Sequence, residues 1–246
     1  VPEKLIDINS LPLKEVKKDA SVLRIGALSL NSEVAENKLV LREQPLLSMA
    51  LNAGASQQIR NMATVGGNLM QRTRCPYFYN PDMPCNKREP GTGCGALKGF
   101  NRMHAIFGAS ESCIAVHPSD MAIALVALDA TVVVVGPKGE RRIPFEKFHR
   151  LPGDTPQKDN NLERGELILA VEIPENEYRK HAHYLKVRDR QSYAFALVSV
   201  AAALDLQGDT IKDVRLAMGG VAHKPWRLLE AEDFLKGKQA SESTFK

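Results

Sequence analysis

The sequence predicts an α+β fold in two units: an α/β unit, followed by a small antiparallel sheet with helices. Three observations support this prediction. Strand-like and helix-like apolar runs mix in the first part of the chain, periodicity vanishes over residues 72–100, and three strand-like runs precede a final helix. With 246 residues, the chain can bury a core without crosslinks. We place the units at residues 1–176 and 177–246, with a four-cysteine insertion at about 72–113.

In the first unit, apolar alternation predicts a strand at residues 22–28, and an N-cap followed by acidic residues predicts a short helix at 29–37. A second helix is predicted over 44–55. Gly66 and Gly67 indicate a tight turn, or a place where the backbone approaches another group closely. The later elements predicted here are a capped helix at 118–128 and strands at 130–135 and 166–174.

In the second unit, a short charged linker at residues 175–180 is followed by the three strand-like runs. These runs span residues 183–187, 195–206 and 211–218. Gly208 and Asp209 predict a hairpin turn between the last two strands. An amphipathic helix is predicted at 227–235.

Composition argues against several classes of function. The net charge of +4 is spread along the chain, without the clustered basic stripe and interleaved aromatic residues of a nucleic-acid surface. The longest apolar stretches are shorter than the roughly 18 residues that span a bilayer. The chain also lacks a nucleophile elbow, a Ser-His-Asp pattern and helical histidine ligand spacing. We therefore expect no nucleic-acid partner, no membrane partner and no catalytic acid–base residue.

The four cysteines lie in or just after the irregular insertion, at Cys75, Cys85, Cys94 and Cys113. A loop rich in proline and glycine cannot form a core around them, which favours a covalent or metal partner. Zinc sites usually contain short Cys-x2–4-Cys knuckles, which are absent here, whereas an iron–sulfur cluster tolerates irregular spacing. From the residues alone, two disulfides, a zinc ion, a cluster and free buried thiols all stay open.

The segment Gln58-Ile-Arg-Asn-Met-Ala-Thr-Val-Gly-Gly-Asn-Leu resembles the second flavin-binding motif of the FAD subunits of molybdenum hydroxylases, the xanthine dehydrogenase and carbon monoxide dehydrogenase flavoprotein family. Four further matches follow in family order and cover nearly the whole chain. They are Pro118-Ser-Asp-Met-Ala-Ile-Ala-Leu, Gly165-Glu-Leu-Ile-Leu-Ala-Val-Glu-Ile-Pro, Tyr184-Leu-Lys-Val-Arg-Asp-Arg, and Met218-Gly-Gly-Val-Ala with Arg227. The resemblance implies a PCMH-type FAD-binding subdomain followed by a C-terminal domain of the CO dehydrogenase flavoprotein type.

The resemblance implies FAD as a cofactor. The matching positions are Thr64, Val65, Gly66, Gly67, Asn68, Ser119, Asp120, Ile168 and Lys186. The glycine segment can offer backbone N–H groups to a phosphate or flavin edge, because glycine has no Cβ to block the approach. By resemblance, Asp120 binds FAD, while Ser119 also caps the helix that follows. Ile168 matches the aliphatic residue against the isoalloxazine, and Lys186 matches a flavin-proximal lysine that can stabilise negative charge on reduced flavin.

A four-cysteine insertion between these motifs resembles the 4Fe-4S-carrying FAD subunits of periplasmic aldehyde oxidoreductase and 4-hydroxybenzoyl-CoA reductase. The phrase Arg74-Cys-Pro-Tyr-Phe-Tyr-Asn is most similar to the aldehyde oxidoreductase. The resemblance therefore implies a 4Fe-4S cluster on all four cysteines. The family's first domain, whose Ala-Gly-Gly-rich loop cradles the FAD pyrophosphate, has no match in residues 1–29, so we expect this chain to hold part of the flavin site.

The implied function is that of an electron-transfer subunit of a heterotrimeric molybdenum-dependent aldehyde oxidoreductase. Its partners would be a large subunit with the molybdenum cofactor, a small subunit with 2Fe-2S clusters, and a soluble electron acceptor. We expect the periplasm, reached by export with a signal-bearing partner, with the cytoplasm as the alternative. The rival functions are a 4-hydroxybenzoyl-CoA reductase-type subunit, a self-contained flavin oxidase or reductase, and a non-enzymatic module stapled by zinc or disulfides.

Overall fold

The computed structural model describes residues 3–246 and contains two antiparallel sheets with helices packed around them. The strands are β1 (Val16–Asp19), β2 (Val22–Gly26), β3 (Thr131–Gly136), β4 (Gly139–Pro144), β5 (Leu167–Pro174), β6 (Ala182–Val187), β7 (Val198–Gln207), β8 (Thr210–Gly219) and β9 (Trp226–Arg227). The helices are α1 (Asn31–Glu36), α2 (Lys38–Glu43), α3 (Pro45–Ala53), α4 (Gln57–Arg60), α5 (Val65–Leu69), α6 (Pro76–Tyr79), α7 (Asp120–Ala127), α8 (Leu229–Leu235) and α9 (Glu242–Phe245). The predicted α+β fold is confirmed.

The first sheet has the strand order β1-β2-β5-β3-β4, and every neighbouring pair is antiparallel. Its register aligns a row of buried aliphatic side chains across four strands, from Ile25 through Val171 and Val132 to Ile143. Such cross-strand rows on one face are what hold an antiparallel sheet against a core. The core therefore lies on the helical side of this sheet.

The second sheet has the order β6-β7-β8-β9, again antiparallel throughout. Gly208 and Asp209 form the predicted hairpin turn, since Gln207 pairs with Thr210 across it. Helix α7 packs against β7 and β8 of this sheet and against helix α3, and all of its residues are buried. Ser119 caps its N-terminus by accepting a hydrogen bond from the Ala122 N–H, as the sequence predicted.

Three strands, β1, β4 and β9, and five helices, α2, α4, α5, α6 and α9, were not predicted from the sequence. Strands β1 and β4 are the edges of the first sheet, and their charged residues, such as Lys17 and Arg142, carry no apolar alternation. Each of the missed helices spans only four to six residues, which is too short to show a helical period in the sequence. Gly66 and Gly67 also differ from expectation, because they lie within helix α5 rather than in a tight turn.

The insertion contains one turn of helix, α6, and is otherwise held by backbone turns and by hydrogen bonds from side chains. The Arg88 guanidinium donates hydrogen bonds to the carbonyls of Tyr77, Phe78 and Pro81. At its exit the insertion joins the second unit: the Ile106 and Phe107 N–H groups share the Val221 carbonyl. No helix within residues 3–246 has the length and apolar character needed to cross a bilayer.

Candidate functional site

Asp120 and Lys186, predicted separately, form a buried ion pair. Lys186 Nζ lies 2.8 Å from Asp120 Oδ2, and the side chains are only 3% and 8% exposed. The Tyr184 hydroxyl donates to Asp120 Oδ1 at 2.8 Å. Burial and the Asp120 charge raise the Tyr184 pKa well above its usual value, so its proton stays in place as the donor.

The two helices that meet at this pair explain why opposite charges lie there. Asp120 is the first residue of α7, where the helix dipole favours a carboxylate. Lys186 also donates to the carbonyl of Ala53 at 3.1 Å, and Ala53 is the last residue of α3, where the dipole favours a cation. One lysine therefore links both helix ends to strand β6.

Ser119 joins the Ser-Asp motif to the Gly-Gly-Asn motif. Its hydroxyl donates to Asn68 Oδ1 at 2.7 Å, although the two residues are 51 positions apart in the chain. Thr64 begins helix α5 by accepting a hydrogen bond from the Gly67 N–H at 3.1 Å. Residues implied by resemblance to share a flavin site are thus in direct contact.

The two glycines of helix α5 serve different purposes. A Cβ on Gly66 would lie 3.2 Å from the Ala27 carbonyl oxygen and 3.3 Å from the Ala27 side chain, so this glycine allows close packing. A Cβ on Gly67 would meet only Thr64 Oγ1, at 3.1 Å, with open space beyond. The Gly67 backbone is therefore open to an incoming group, which fits a role beside a phosphate or flavin edge.

Two adjoining clefts share a wall of Pro118, Ser119, Asp120 and Phe195, so Asp120 is the member of the ion pair that lines them. The larger, of about 180 Å³, is lined further by Cys75, His104, His117 and Gly220. The smaller, of about 60 Å³, reaches Arg60, Asn68 and Gln71. Of the nine predicted flavin residues, Asn68, Ser119 and Asp120 line a cleft, whereas Thr64, Val65, Gly66, Gly67, Ile168 and Lys186 line neither. Val65 and Ile168 lie buried in the main core, where Ile168 of β5 pairs with Val134 of β3.

His117 lines the larger cleft and carries a buried N–H donor. Burial, followed by the nearby His149, lowers the His117 pKa well below its usual value, so the ring is neutral. The Ser119 N–H points at His117 Nδ1 from 3.4 Å, which leaves the proton on Nε2. Among the described residues Nε2 has no hydrogen-bond partner. A ligand acceptor in this cleft would satisfy it.

The four cysteines are free thiols that line a single small cavity. Cys85 and Cys94 face each other across an antiparallel bridge without forming a disulfide. Asn86 organises the loop between them, accepting from the Gly91 and Gly93 N–H groups and donating to the Ser112 carbonyl. The insertion thus brings together all of the predicted metal ligands.

The chemistry of these thiols fits an iron–sulfur cluster. Burial raises the pKa of Cys113 to about 11 and also raises that of Cys75, so these thiols are poor nucleophiles until a metal displaces the proton. Within residues 3–246 no three His, Cys, Asp or Glu side chains converge on one metal ion. Thiols spread around a cavity suit a core in which each binds a different iron, better than one zinc ion.

Hydrogen-bond donors also approach these sulfurs. The Ala115 N–H lies 3.5 Å from Cys113 Sγ, and His104 Nε2 lies 3.2 Å from Cys75 Sγ, where the tautomer with a proton on Nε2 donates to a thiolate. Donors of this kind are a recurrent feature around cluster sulfurs. Thr73 and Cys75 line both the cysteine cavity and the larger cleft, so the two candidate sites have a common wall.

Sequence reasoning missed the polar residues that surround these sites. Tyr184 lies within a motif that resembles the family, but the motif gives it no role. Lys87 lies in an irregular loop that has other charged residues, and nothing in its neighbours indicates burial. Four of the histidines, His104, His117, His149 and His223, are buried. No local pattern separates a buried lysine or histidine from an exposed one, so the only available signal was the closeness of Lys87 to Cys85.

Comparison with known families identifies two segments. Residues 1–176 match the FAD binding domain in molybdopterin dehydrogenase, and residues 183–246 match the CO dehydrogenase flavoprotein C-terminal domain. The chain is 54% identical over 242 residues to the aldehyde oxidoreductase FAD-binding subunit PaoB of Escherichia coli K12, covering 97% of this chain and 74% of that one. It is 30% identical to the glyceraldehyde dehydrogenase medium chain of Sulfolobus acidocaldarius, covering 100% and 70%.

Solved structures share the fold. A carbon monoxide dehydrogenase chain from Hydrogenophaga pseudoflava aligns with a TM-score of 0.67 at 21% identity, covering 94% of this chain. A quinoline 2-oxidoreductase chain from Pseudomonas putida 86 aligns with a TM-score of 0.65 at 27% identity, also covering 94%. This chain spans 64% of the length of each of those two.

Proposed function

The chain belongs to the FAD-binding subunits of the molybdenum hydroxylases, and on that premise we propose that it is the FAD- and 4Fe-4S-carrying electron-transfer subunit of a heterotrimeric aldehyde oxidoreductase. Relatives of this family are oxidoreductase subunits, among them an aldehyde oxidoreductase, a carbon monoxide dehydrogenase and a xanthine dehydrogenase. The observation that carries the proposal is the wall of Thr73 and Cys75 between the cysteine cavity and the larger cleft.

For FAD, the residues of this chain supply binding and electrostatics. The open face of Gly67, the Asn68 amide and the His117 Nε2–H are available to polar groups of the cofactor. The Asp120–Lys186 pair places a carboxylate in the cleft wall, in direct contact with a buried cation. Bound FAD would accept electrons from the 2Fe-2S clusters of a small partner subunit and deliver them to a soluble acceptor.

For the cluster, Cys75, Cys85, Cys94 and Cys113 would be the ligands. Each thiol must release its proton on binding iron, which removes the cost of ionising a buried thiol. The common wall with the flavin cleft favours a relay of single electrons between the two cofactors over a purely structural role. The aldehyde chemistry itself would belong to a large molybdenum-cofactor subunit, and export with a signal-bearing partner would locate the enzyme in the periplasm.

The test is the cofactor content of the assembled enzyme, purified anaerobically with its partners. We expect one FAD per trimer, and about four iron and four sulfide beyond those of the 2Fe-2S clusters. Cys94→Ser should lose the extra iron. Ser112→Ala is the matched control, because it lines the same cavity and its hydrogen bonds all come from its backbone. Wild-type enzyme without the extra iron and sulfide would refute the cluster.

A further inference from the structure

We propose that Lys87 is the fixed counter-charge of the four-cysteine centre, a buried cation that stabilises the negative charge of the cluster by its electric field. Lys87 lines the cysteine cavity, and its side chain is only 1% exposed. It lies two positions after Cys85. The inference rests on the proposed function in one respect, namely that the centre holds an iron–sulfur cluster.

The contacts of Lys87 show that it acts by charge and not by bonding to sulfur. An ammonium has three N–H donors and no acceptor. The donors go to Asp159 Oδ1 at 2.5 Å, to His223 Nε2 at 2.8 Å and to the Pro156 carbonyl at 2.8 Å. Every donor is therefore used outside the cavity.

The surroundings leave an excess of positive charge beside the thiols. Asp159 is shared, since its other oxygen accepts from Arg72 Nε at 2.6 Å, so two cations face one carboxylate. His223 adds no charge: its Nδ1–H donates to the Arg150 carbonyl at 2.8 Å, and its Nε2 accepts from Lys87. The group made of Lys87, Arg72 and Asp159 thus carries one net positive charge.

This charge opposes the charge that the cluster carries. Four thiolates around an iron–sulfur core make an anionic centre, and one-electron reduction by the flavin or a partner cofactor adds one more negative charge. A cation excluded from water acts on that charge with little screening. Removing it should disfavour the reduced state, and removing the neighbouring carboxylate should favour it.

The experiment compares variants of opposite sign in the assembled enzyme. Lys87→Met removes the cation, and Asp159→Asn removes the carboxylate that partly cancels it. Lys98→Met is the matched control, because Lys98 lies in the same insertion but is exposed to water. An EPR-monitored redox titration gives the midpoint potential of each 4Fe-4S centre, with the partner's 2Fe-2S signals as an internal reference.

We expect Lys87→Met to lower the reduced-to-oxidised ratio at fixed potential by at least tenfold, a downward shift of 59 mV or more for one electron. Asp159→Asn should shift the midpoint upward, and Lys98→Met should leave it in place. The inference would be overturned, although the cluster itself is present, if Lys87→Met and Asp159→Asn shift the midpoint potential in the same direction or leave it unchanged. If Lys87→Met fails to hold the cluster, Asp159→Asn alone tests the inference: an upward shift of the midpoint potential supports it, and a downward shift or none overturns it. Wild-type enzyme without the extra iron would refute the cluster and this inference together.

Discussion

The ion pair between Lys186 and Asp120 yields the sharpest prediction, because Lys186→Met removes the cation and leaves the carboxylate buried. Breaking a buried pair by removing one partner costs about 3–5 kcal/mol of unfolding free energy. Two contacts soften the loss: the Tyr184 hydroxyl still donates to Asp120, and the N-terminus of α7 contributes up to about 2 kcal/mol. We therefore expect a cost of about 3 kcal/mol.

The assay is urea denaturation under reducing conditions, followed by circular dichroism and by the fluorescence of Trp226, the single tryptophan. The double variant Lys186→Met with Asp120→Asn should lose about 2 kcal/mol less unfolding free energy than the two single variants lose together, because no uncompensated charge remains. Lys212→Met is the matched control, since Lys212 is exposed and its pair with Asp205 is weakened by solvent. A cost for Lys186→Met no larger than that of the control, or strict additivity in the double variant, would refute the reasoning.

Three further predictions concern pH, a helix cap and a glycine. Burial lowers the pKa of His149 and of His223 to about 4, so below pH of about 6.5 the unfolded chain binds protons that the folded chain does not. The unfolding free energy should be flat above pH 7 and fall towards pH 4, by up to about 1.4 kcal/mol per pH unit for each histidine. Urea titrations of wild type and His149→Gln across this pH range check the prediction. A dependence of the unfolding free energy on pH that is unchanged in the variant contradicts it. Ser119→Ala should cost about 1–2 kcal/mol in the same assay, because it removes the cap of α7 and the bond to Asn68, and a cost under about 0.3 kcal/mol would show that neither matters. Gly67→Ala should change stability by less than about 1 kcal/mol yet lower the FAD content of the purified enzyme, and full FAD content would exclude a close approach of the cofactor there.

Much of the fold follows from short stretches of the chain. The helix that Ser119 caps, the strand at 166–174 and the hairpin at Gly208 each depend on periodicity or turn chemistry within about ten neighbouring residues. The edge strands β1 and β4 were missed for the same reason. Their residues gain order from the neighbouring strand and carry no apolar pattern of their own.

The sequence by itself determined the kinds of groups at the two sites: four thiols within one loop, a glycine pair, and the Ser-Asp and lysine positions that resemble a flavoprotein family. Tertiary structure alone decided which charges are buried and what they face. Lys186 meets Asp120 across 66 residues of chain, and Lys87 meets His223 across 136. Desolvation and ion pairing depend on every group that packs around a side chain, and those groups come together only when the chain folds.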